Sequence, residues 1–329
     1  MPKAILFGLT ACQNADRLKR LLETDWQVVP ILDETKMDPL CEELLDADAL
    51  ISLTWDDRMG ENAPRLRLIH ALGAGVDNFF VESFPDDCSL CNVYEHAVPV
   101  AEYVLGMIVA LTVGFKHHDA RLRQGYWDGT GRRDGEPHEE LAGKTLGLIG
   151  FGTVGHEITK RAAAFDLRIR AIRSQPEASP ADERLDWLGG PDRLQDLLSE
   201  SDYVVACCTL NDQTRNMLNA ETLGWMKPTA YLINVARGEI AEQQSLYTAL
   251  HEQRIAGAAI DVWCRYPESG DQQMLPAELP FHELENVLIT PHMSAWTHAM
   301  IERRWKKIAS NLDALVQGQP LQNVAARKH

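Results

Sequence analysis

Leu146-Gly147-Leu148-Ile149-Gly150-Phe151-Gly152-Thr153-Val154-Gly155 is a short apolar run that breaks into a glycine-punctuated turn. A helical pattern follows, with Ile158, Ala162 and Phe165 on one face. The order is strand, tight turn, helix. Glycine belongs there because a Cβ would obstruct the backbone angles of the turn, and because a pyrophosphate has to approach main-chain N–H groups at a helix N-terminus. The spacing Gly150-x-Gly152-x-x-Gly155 is by itself weak, since such turns occur throughout αβ proteins. Its context gives it weight.

The chain of 329 residues can bury a large core and is expected to form two lobes. Its 45% hydrophobic and 24% charged residues are those of an ordinary globular protein. A formal charge of −16 argues against nucleic acid or an anionic membrane as partner, so an anionic ligand needs a local cationic pocket. The run Ala4 to Leu9 reads as a first strand rather than a signal-peptide core. Val98 to Phe115, which holds Pro99 and Glu102, reads as a buried helix rather than a membrane span. Seven irregularly spaced cysteines suggest reduced thiols and a cytoplasmic location. Cys88-x-x-Cys91 has no second pair or His cluster beside it, so packing is expected there and no metal.

Two αβ series follow one another. In the first, strands are expected at Ala4–Leu9, Val28–Ile31, Ala49–Thr54, Leu68–Leu72 and Leu90–Val93, with helices at Asp16–Leu22 and Leu40–Asp46. Ala74-Gly75-Val76-Asp77 follows one of these strands, where a glycine lets backbone N–H groups face a small anion; a plain turn fits the spacing as well. After an apolar helix from Pro99 to Phe115, the polar segment Lys116 to Glu140 reads as an arm or connection. The second series has strands at Thr145–Ile149, Arg168–Ile172, Tyr203–Cys207, Ala230–Val235, Ile255–Ile260 and Val287–Thr290. An amphipathic helix, Ile301 to Val316, closes the chain. This is a parallel α/β layout.

Three residues capable of chemistry sit just past three successive strands of the second series: Arg237 after Ile233-Asn234-Val235-Ala236, Asp261 after Ala258-Ala259-Ile260, and His292 after Ile289-Thr290-Pro291. Ligands of an open parallel sheet bind outside the carboxyl ends of its strands. Each residue has a plainer alternative. Arg237 could cap a helix or pair with Glu239, Asp261 could be an N-cap, and His292 could be a satisfied buried histidine. Three coincidences in register with one glycine turn favour a site. Arg237 then offers a planar cation to hold a carboxylate and polarise a carbonyl. His292 can give or take a hydroxyl proton as hydride moves. Asp261 can accept from a nicotinamide carboxamide.

The second strand of such a fold places an acid near the ribose 2′-hydroxyl, or an Arg where a 2′-phosphate is taken. Here that end reads Ala171-Ile172-Arg173-Ser174, and the nearest acid, Asp166, precedes the strand. NADP(H) is therefore the preferred cofactor, with NAD(H) possible.

These residues give the chain a family likeness. It resembles the D-isomer-specific 2-hydroxyacid dehydrogenases, the group of glyoxylate/hydroxypyruvate reductases and phosphoglycerate dehydrogenase. The likeness runs almost end to end through Ala74-Gly75-Val76-Asp77-Asn78, Val100-Ala101-Glu102, Leu141 to Gly147, Gly150-Phe151-Gly152, Met226-Lys227-Pro228, Ile233 to Gly238, Asp261-Val262-Trp263, Thr290-Pro291-His292 and Gly318-Gln319-Pro320. The resemblance implies an α/β fold of two Rossmann-like lobes: a doubly wound parallel-sheet cofactor domain (98–295) inserted in a smaller flavodoxin-like substrate domain (1–97 with 296–329), usually in a homodimer. It implies that the backbone of Ala74 and Gly75 binds the substrate carboxylate, that Arg237 binds carboxylate and keto oxygen, and that His292 is the acid/base. Cofactor contacts would fall to Gly150, Gly152, Thr153, Val154, Gly155, Arg173, Ser174, Cys208, Thr209, Val235 and Asp261.

The family usually carries a Glu, before a proline, that pairs with the catalytic His. Here that position is Tyr266, in Asp261-Val262-Trp263-Cys264-Arg265-Tyr266-Pro267. A phenol can accept from imidazole but does not favour imidazolium as a carboxylate does; Glu268 is close in sequence. The family's His-x-Pro-Leu-Thr segment is altered to Cys207-Cys208-Thr209-Leu210-Asn211. The expected activity is reduction of a small 2-keto acid to a D-2-hydroxy acid, with Trp55, Tyr94, His96 and Trp296 as candidates for the substrate wall. A non-catalytic, dinucleotide-sensing protein on the same fold is the alternative, and Tyr266 is its best support.

Overall fold

In the computed structural model, which describes all residues except 35–36, 128–136, 179–181, 268–272 and 329, the chain divides into two compact units. One is Met1–His96 with Trp296–His329, and the other is the contiguous Ala97–Ala295.

The first unit is built on strands β1 (Lys3–Phe7), β2 (Gln27–Ile31), β3 (Ala49–Ser52), β4 (Leu68–Ala71), β5 (Ser89–Cys91) and β13 (Val324–Arg327). Their order is β13-β5-β4-β3-β1-β2, parallel except for β13, which pairs antiparallel with β5. Apart from that added edge strand, this is the flavodoxin-like order. Alternation of side chains sends Ile5, Phe7, Leu50, Ile69 and Leu90 into one core and Ala4, Leu6, Ala49, Ile51 and Leu68 into the other. Both faces of β1, β3, β4 and β5 are covered, which is why these strands read as continuous apolar runs.

The closing helix His298–Gln317 lays Trp305, Ile308 and Leu312 on the second of these cores. Thr297 caps its start by accepting from Met300 N. Deeper in, Asn311 Nδ2 donates to His70 Nε2 at 3.0 Å while His70 Nδ1 faces Ala71 O at 3.0 Å. His70 is fully buried, and burial pushes its imidazole down to about 4, so it stays neutral.

The second unit carries β6 (Thr145–Ile149), β7 (Arg168–Ile172), β8 (Leu185–Gly189), β9 (Tyr203–Ala206), β10 (Tyr231–Asn234), β11 (Gly257–Ile260) and β12 (Val287–Ile289). All are parallel, in the order β12-β11-β10-β9-β6-β7-β8. The order reverses between β6 and β9, the topological switch of a doubly wound sheet. The helix Ala97–Val113 buries Val100, Ala101, Val104, Leu105 and Ile108 against Leu146, Leu148, Val205 and Ile233. Pro99 falls in its first turn, where the missing N–H is no loss. No single helix among the described residues is long and apolar enough to cross a membrane.

Two strands depart from the sequence expectation. β8 pairs only with β7 and β13 only with β5, so each lies on a sheet edge without the all-buried run of a central strand. The segment expected as an arm after Phe115 begins as the helix Phe115–Arg123, and part of it lies outside the described residues. Cys88 and Cys91 are wholly buried, and burial pushes both thiols up to about 12.

The C-terminal helix is tied to the start of the chain by Asp313, whose carboxylate accepts from Glu23 N, Thr24 N and Thr24 Oγ1 at 2.6–3.0 Å. Asp313→Ala strands two backbone donors, and is expected to cost about 2 kcal/mol and lower the melting midpoint by about 5 °C. An unchanged midpoint would show that the apolar face alone holds this helix.

Candidate active site

Gly150, Arg173, Cys208, Val235, Arg237, Asp261 and His292 all lie just beyond the carboxyl ends of strands. The glycine turn follows β6. Gly150 has φ +107°, and a Cβ there would stand 2.7 Å from Cys208 N. Glycine is therefore required both by conformation and by the closeness of the two strand ends. Cys207 seals the same seam, its Sγ donating to Gly150 O at 3.1 Å. Burial pushes the Cys208 thiol up to about 11 and the Cys207 thiol further, so both are neutral packing groups.

A Cβ on Gly152 would meet no protein atom within 4 Å, whereas one on Gly155 would meet Gly150 O at 2.9 Å. The turn is thus closed on the protein side at Gly155 and open at Gly152. The helix Thr153–Ala162 that starts here has no acidic residue in its first turn, and no side chain caps it. An open glycine before uncapped N–H groups fits the pyrophosphate of a dinucleotide. Arg173 and Ser174 follow β7, Arg173 half-buried and Ser174 exposed. Asp166 lies at the opposite end of that strand.

Arg237 follows β10 on a loop that Asn234 shapes: its Oδ1 accepts from Ala236 N at 3.1 Å and its Nδ2 donates to Arg237 O at 3.0 Å. The guanidinium Nη1 donates to Ala236 O at 2.8 Å. Gly238 comes next because a Cβ would stand 2.3 Å from the Trp263 carbonyl carbon. The Arg-Gly pair is one packing solution.

Asp261, just past β11, is fully buried. Oδ1 accepts from Thr290 Oγ1 at 2.6 Å and from Met293 N at 2.8 Å, and Oδ2 accepts from Ser294 N at 2.9 Å. The carboxylate expected to take a nicotinamide carboxamide is thus the anchor of the turn carrying His292, with one Oδ2 lone pair left over. His292 itself has φ +56°, a left-handed conformation that a non-glycine residue holds only when its neighbours fix it.

The imidazole is held below its ordinary 6.5 by partial withdrawal from water, with the Asp261 charge opposing and the Arg237 charge adding. Tyr266 lies against it, ring centroids 5.6 Å apart and planes at 46°. The phenol oxygen accepts the N–H of Trp263 at 3.1 Å. Partial burial raises the phenol pKa. Glu268 lies outside the described residues.

Val235, Cys208 and Thr209 complete the edge after β10 and β9. Ala74 and Gly75 belong to the first unit, in the turn after β4, where Ala74 O accepts from Asn92 Nδ2 at 2.8 Å. Of the aromatic residues considered for a substrate wall, Trp55 is a core residue, edge-on to Phe84 with its indole donating to Ser83. Sequence reasoning missed Tyr103 and the part played by Thr290. Tyr103 OH lies 2.7 Å from Thr290 Oγ1, and the one available signal was a phenol, which needs a partner, on an otherwise apolar helix.

Residues 105–294 match the family model described as D-isomer specific 2-hydroxyacid dehydrogenase, NAD binding domain. The chain is 32% identical to the glyoxylate reductase of Pyrococcus furiosus, over 91% of this chain and 89% of that one. Among solved structures, an acyclic imino acid reductase in complex with NADPH and D-Arg superposes with a TM-score of 0.81 at 22% identity, covering 99% of this chain and all of that one. An NADPH-dependent glyoxylate/hydroxypyruvate reductase from Sinorhizobium meliloti gives 0.79 at 19% identity, over 99% and 98%. With a family model covering more than half its length and a relative 32% identical over 91% of it, the chain belongs to the D-isomer-specific 2-hydroxyacid dehydrogenases, NAD(P)-dependent oxidoreductases.

Proposed function

We propose that this enzyme reduces a small 2-keto acid of the glyoxylate or hydroxypyruvate type to the D-2-hydroxy acid, preferring NADPH and accepting NADH. The observation that carries the reading is the placement of Arg237 and His292 past β10 and β12 of the sheet whose β6 ends in the open glycine turn. The name of the Pyrococcus furiosus relative agrees with it. Residues 98–295 act as the dinucleotide-binding domain, and residues 1–97 with 296–329 as the substrate domain. Exposed Phe115, Leu122, Tyr126 and Trp127 support a homodimer.

The bound nicotinamide supplies the hydride. The chain's own residues do the rest. The Arg237 guanidinium holds carboxylate and keto oxygen, so that negative charge arising on that oxygen is met by a fixed cation. Protonated His292 delivers the proton to the same oxygen. Arg173 and Ser174 hold the 2′-phosphate.

His292→Ala is expected to reduce turnover of glyoxylate by about a hundredfold or more with nucleotide binding kept, as read by nicotinamide fluorescence. Equal loss of both would sink the assignment. Arg173→Asp is expected to move the kcat/KM ratio toward NADH; an unchanged ratio would show that the phosphate is read elsewhere.

Reduction needs imidazolium, and the folded pKa of His292 is lowered, so the protonated fraction falls as pH rises through a value below 6.5. Reductive kcat/KM should therefore fall with rising pH, with its midpoint below 6.5. Tyr266→Glu puts a carboxylate near the ring and should move that decline up by about one pH unit or more. A wild-type profile flat to pH 8 would contradict this role for His292.

A further inference from the structure

The His292 turn is gripped from both sides by one carboxylate, and the grip does not end there. Thr290 stands two residues before His292, Met293 and Ser294 directly after it, and all three donate to Asp261. Thr290 has one hydroxyl proton. A carboxylate only accepts, so at 2.6 Å that proton lies toward Asp261 Oδ1. The 2.7 Å contact between Thr290 Oγ1 and Tyr103 OH is then settled in direction: the phenol donates. Burial pushes the Tyr103 phenol up to about 12, so it keeps its proton throughout the working range. The chain of donors runs Tyr103 to Thr290 to Asp261, from the apolar helix Ala97–Val113 to the end of β11.

The rest of Thr290 is also committed. Its N–H donates to Ile260 O at 3.0 Å and its carbonyl accepts from Trp263 Nε1 at 2.9 Å. The hydroxyl is the one remaining polar group of this residue, and Tyr103 fixes where its proton points.

We propose that Tyr103 is a positioning residue for His292, acting through Thr290 and Asp261 to hold the left-handed turn in the one arrangement that presents the imidazole. This rests on the reading of His292 as the proton donor. Tyr103 does not itself touch substrate or cofactor. It supplies, from a packed helix, the last donor of a network whose other members lie in the loops it orders.

The test compares Tyr103→Phe with Tyr203→Phe. Tyr203 OH makes a like contact of 2.8 Å with Thr112 Oγ1 on the same helix, buried and unconnected to Asp261 by any hydrogen bond shown. Both changes remove one phenol oxygen from a tyrosine–threonine pair. Amide hydrogen exchange at Met293 and Ser294 is expected to accelerate about tenfold in Tyr103→Phe and to stay at the wild-type rate in Tyr203→Phe. Turnover of glyoxylate with NADPH should fall about tenfold in kcat in Tyr103→Phe with KM within twofold, and Tyr203→Phe should retain wild-type values. Tyr103→Phe combined with Thr290→Val should be no worse than Thr290→Val alone, since both act on one chain of donors. Wild-type exchange at Met293 and Ser294 in Tyr103→Phe, or additive effects in the double variant, would overturn the proposal. Exchange needs no substrate, so a wild-type enzyme inactive on every 2-keto acid would defeat the functional reading and still leave the exchange rates to decide this one.

Discussion

The site depends on a carboxylate that no solvent reaches. Burying the Asp261 charge carries a penalty of several kcal/mol, which is tolerable only if the oxygens are met by well-placed donors. Two backbone N–H groups and a hydroxyl meet them at 2.6–2.9 Å. Because two of these donors belong to residues just after His292 and the third to a residue just before it, satisfying the charge and fixing the turn are one event. A left-handed non-glycine residue costs of order 1 kcal/mol or more, and such strain persists where the surroundings over-determine it. Here the surroundings are a single side chain and its donors.

The remaining parts of the site follow from sheet topology. Parallel strands all end at one edge, so a sequence that supplies β6, β9, β10, β11 and β12 delivers the glycine turn, Arg237, Asp261 and His292 to that edge without further specification. What has to be specified is the spacing between neighbouring ends. Gly150 against Cys208, Gly155 against Gly150, and Gly238 against Trp263 are the places where a Cβ would force them apart. The glycines near the chemistry therefore act on the seams between strands as much as on any ligand.

This explains which features could be read from residues alone. The glycine turn is a local rule of conformation, and the central strands carry apolar runs because both faces are buried, so the parallel αβ series and its strand ends stand out. β8 and β13 lie on edges and lack that pattern. Arg237 and Asp261 could be placed because they come shortly after such strands, and His292 because β12, though an edge strand, still reads as an apolar run. Their partners could not. Tyr103 and Thr290 are 187 positions apart, and their meeting is set by how the helix Ala97–Val113 packs on the sheet. The left-handed angle at His292 could not be read from the residue, since histidine favours it only weakly and the turn that imposes it is set by the distant Asp261. The partner that the Tyr266 oxygen takes was not legible either, because it is a backbone N–H three residues earlier in the chain, brought within reach by the loop after β11.

Among the described residues it is the Tyr266 ring, not a Glu carboxylate, that lies against the histidine. A Glu partner does two things at once, fixing the ring by a hydrogen bond and stabilising its charged form. In this chain the two tasks are separated. Orientation comes from the backbone turn that Asp261 grips, with the Tyr266 ring lying against the imidazole. Charge balance comes from the opposed fields of Asp261 and Arg237 and from partial withdrawal from water, which leave the imidazole more acidic than usual. A more acidic imidazolium gives up its proton more readily once formed, though less of it is present at neutral pH. In the proposed reduction the geometry of proton delivery is then kept while its pH range shifts with the residue at position 266.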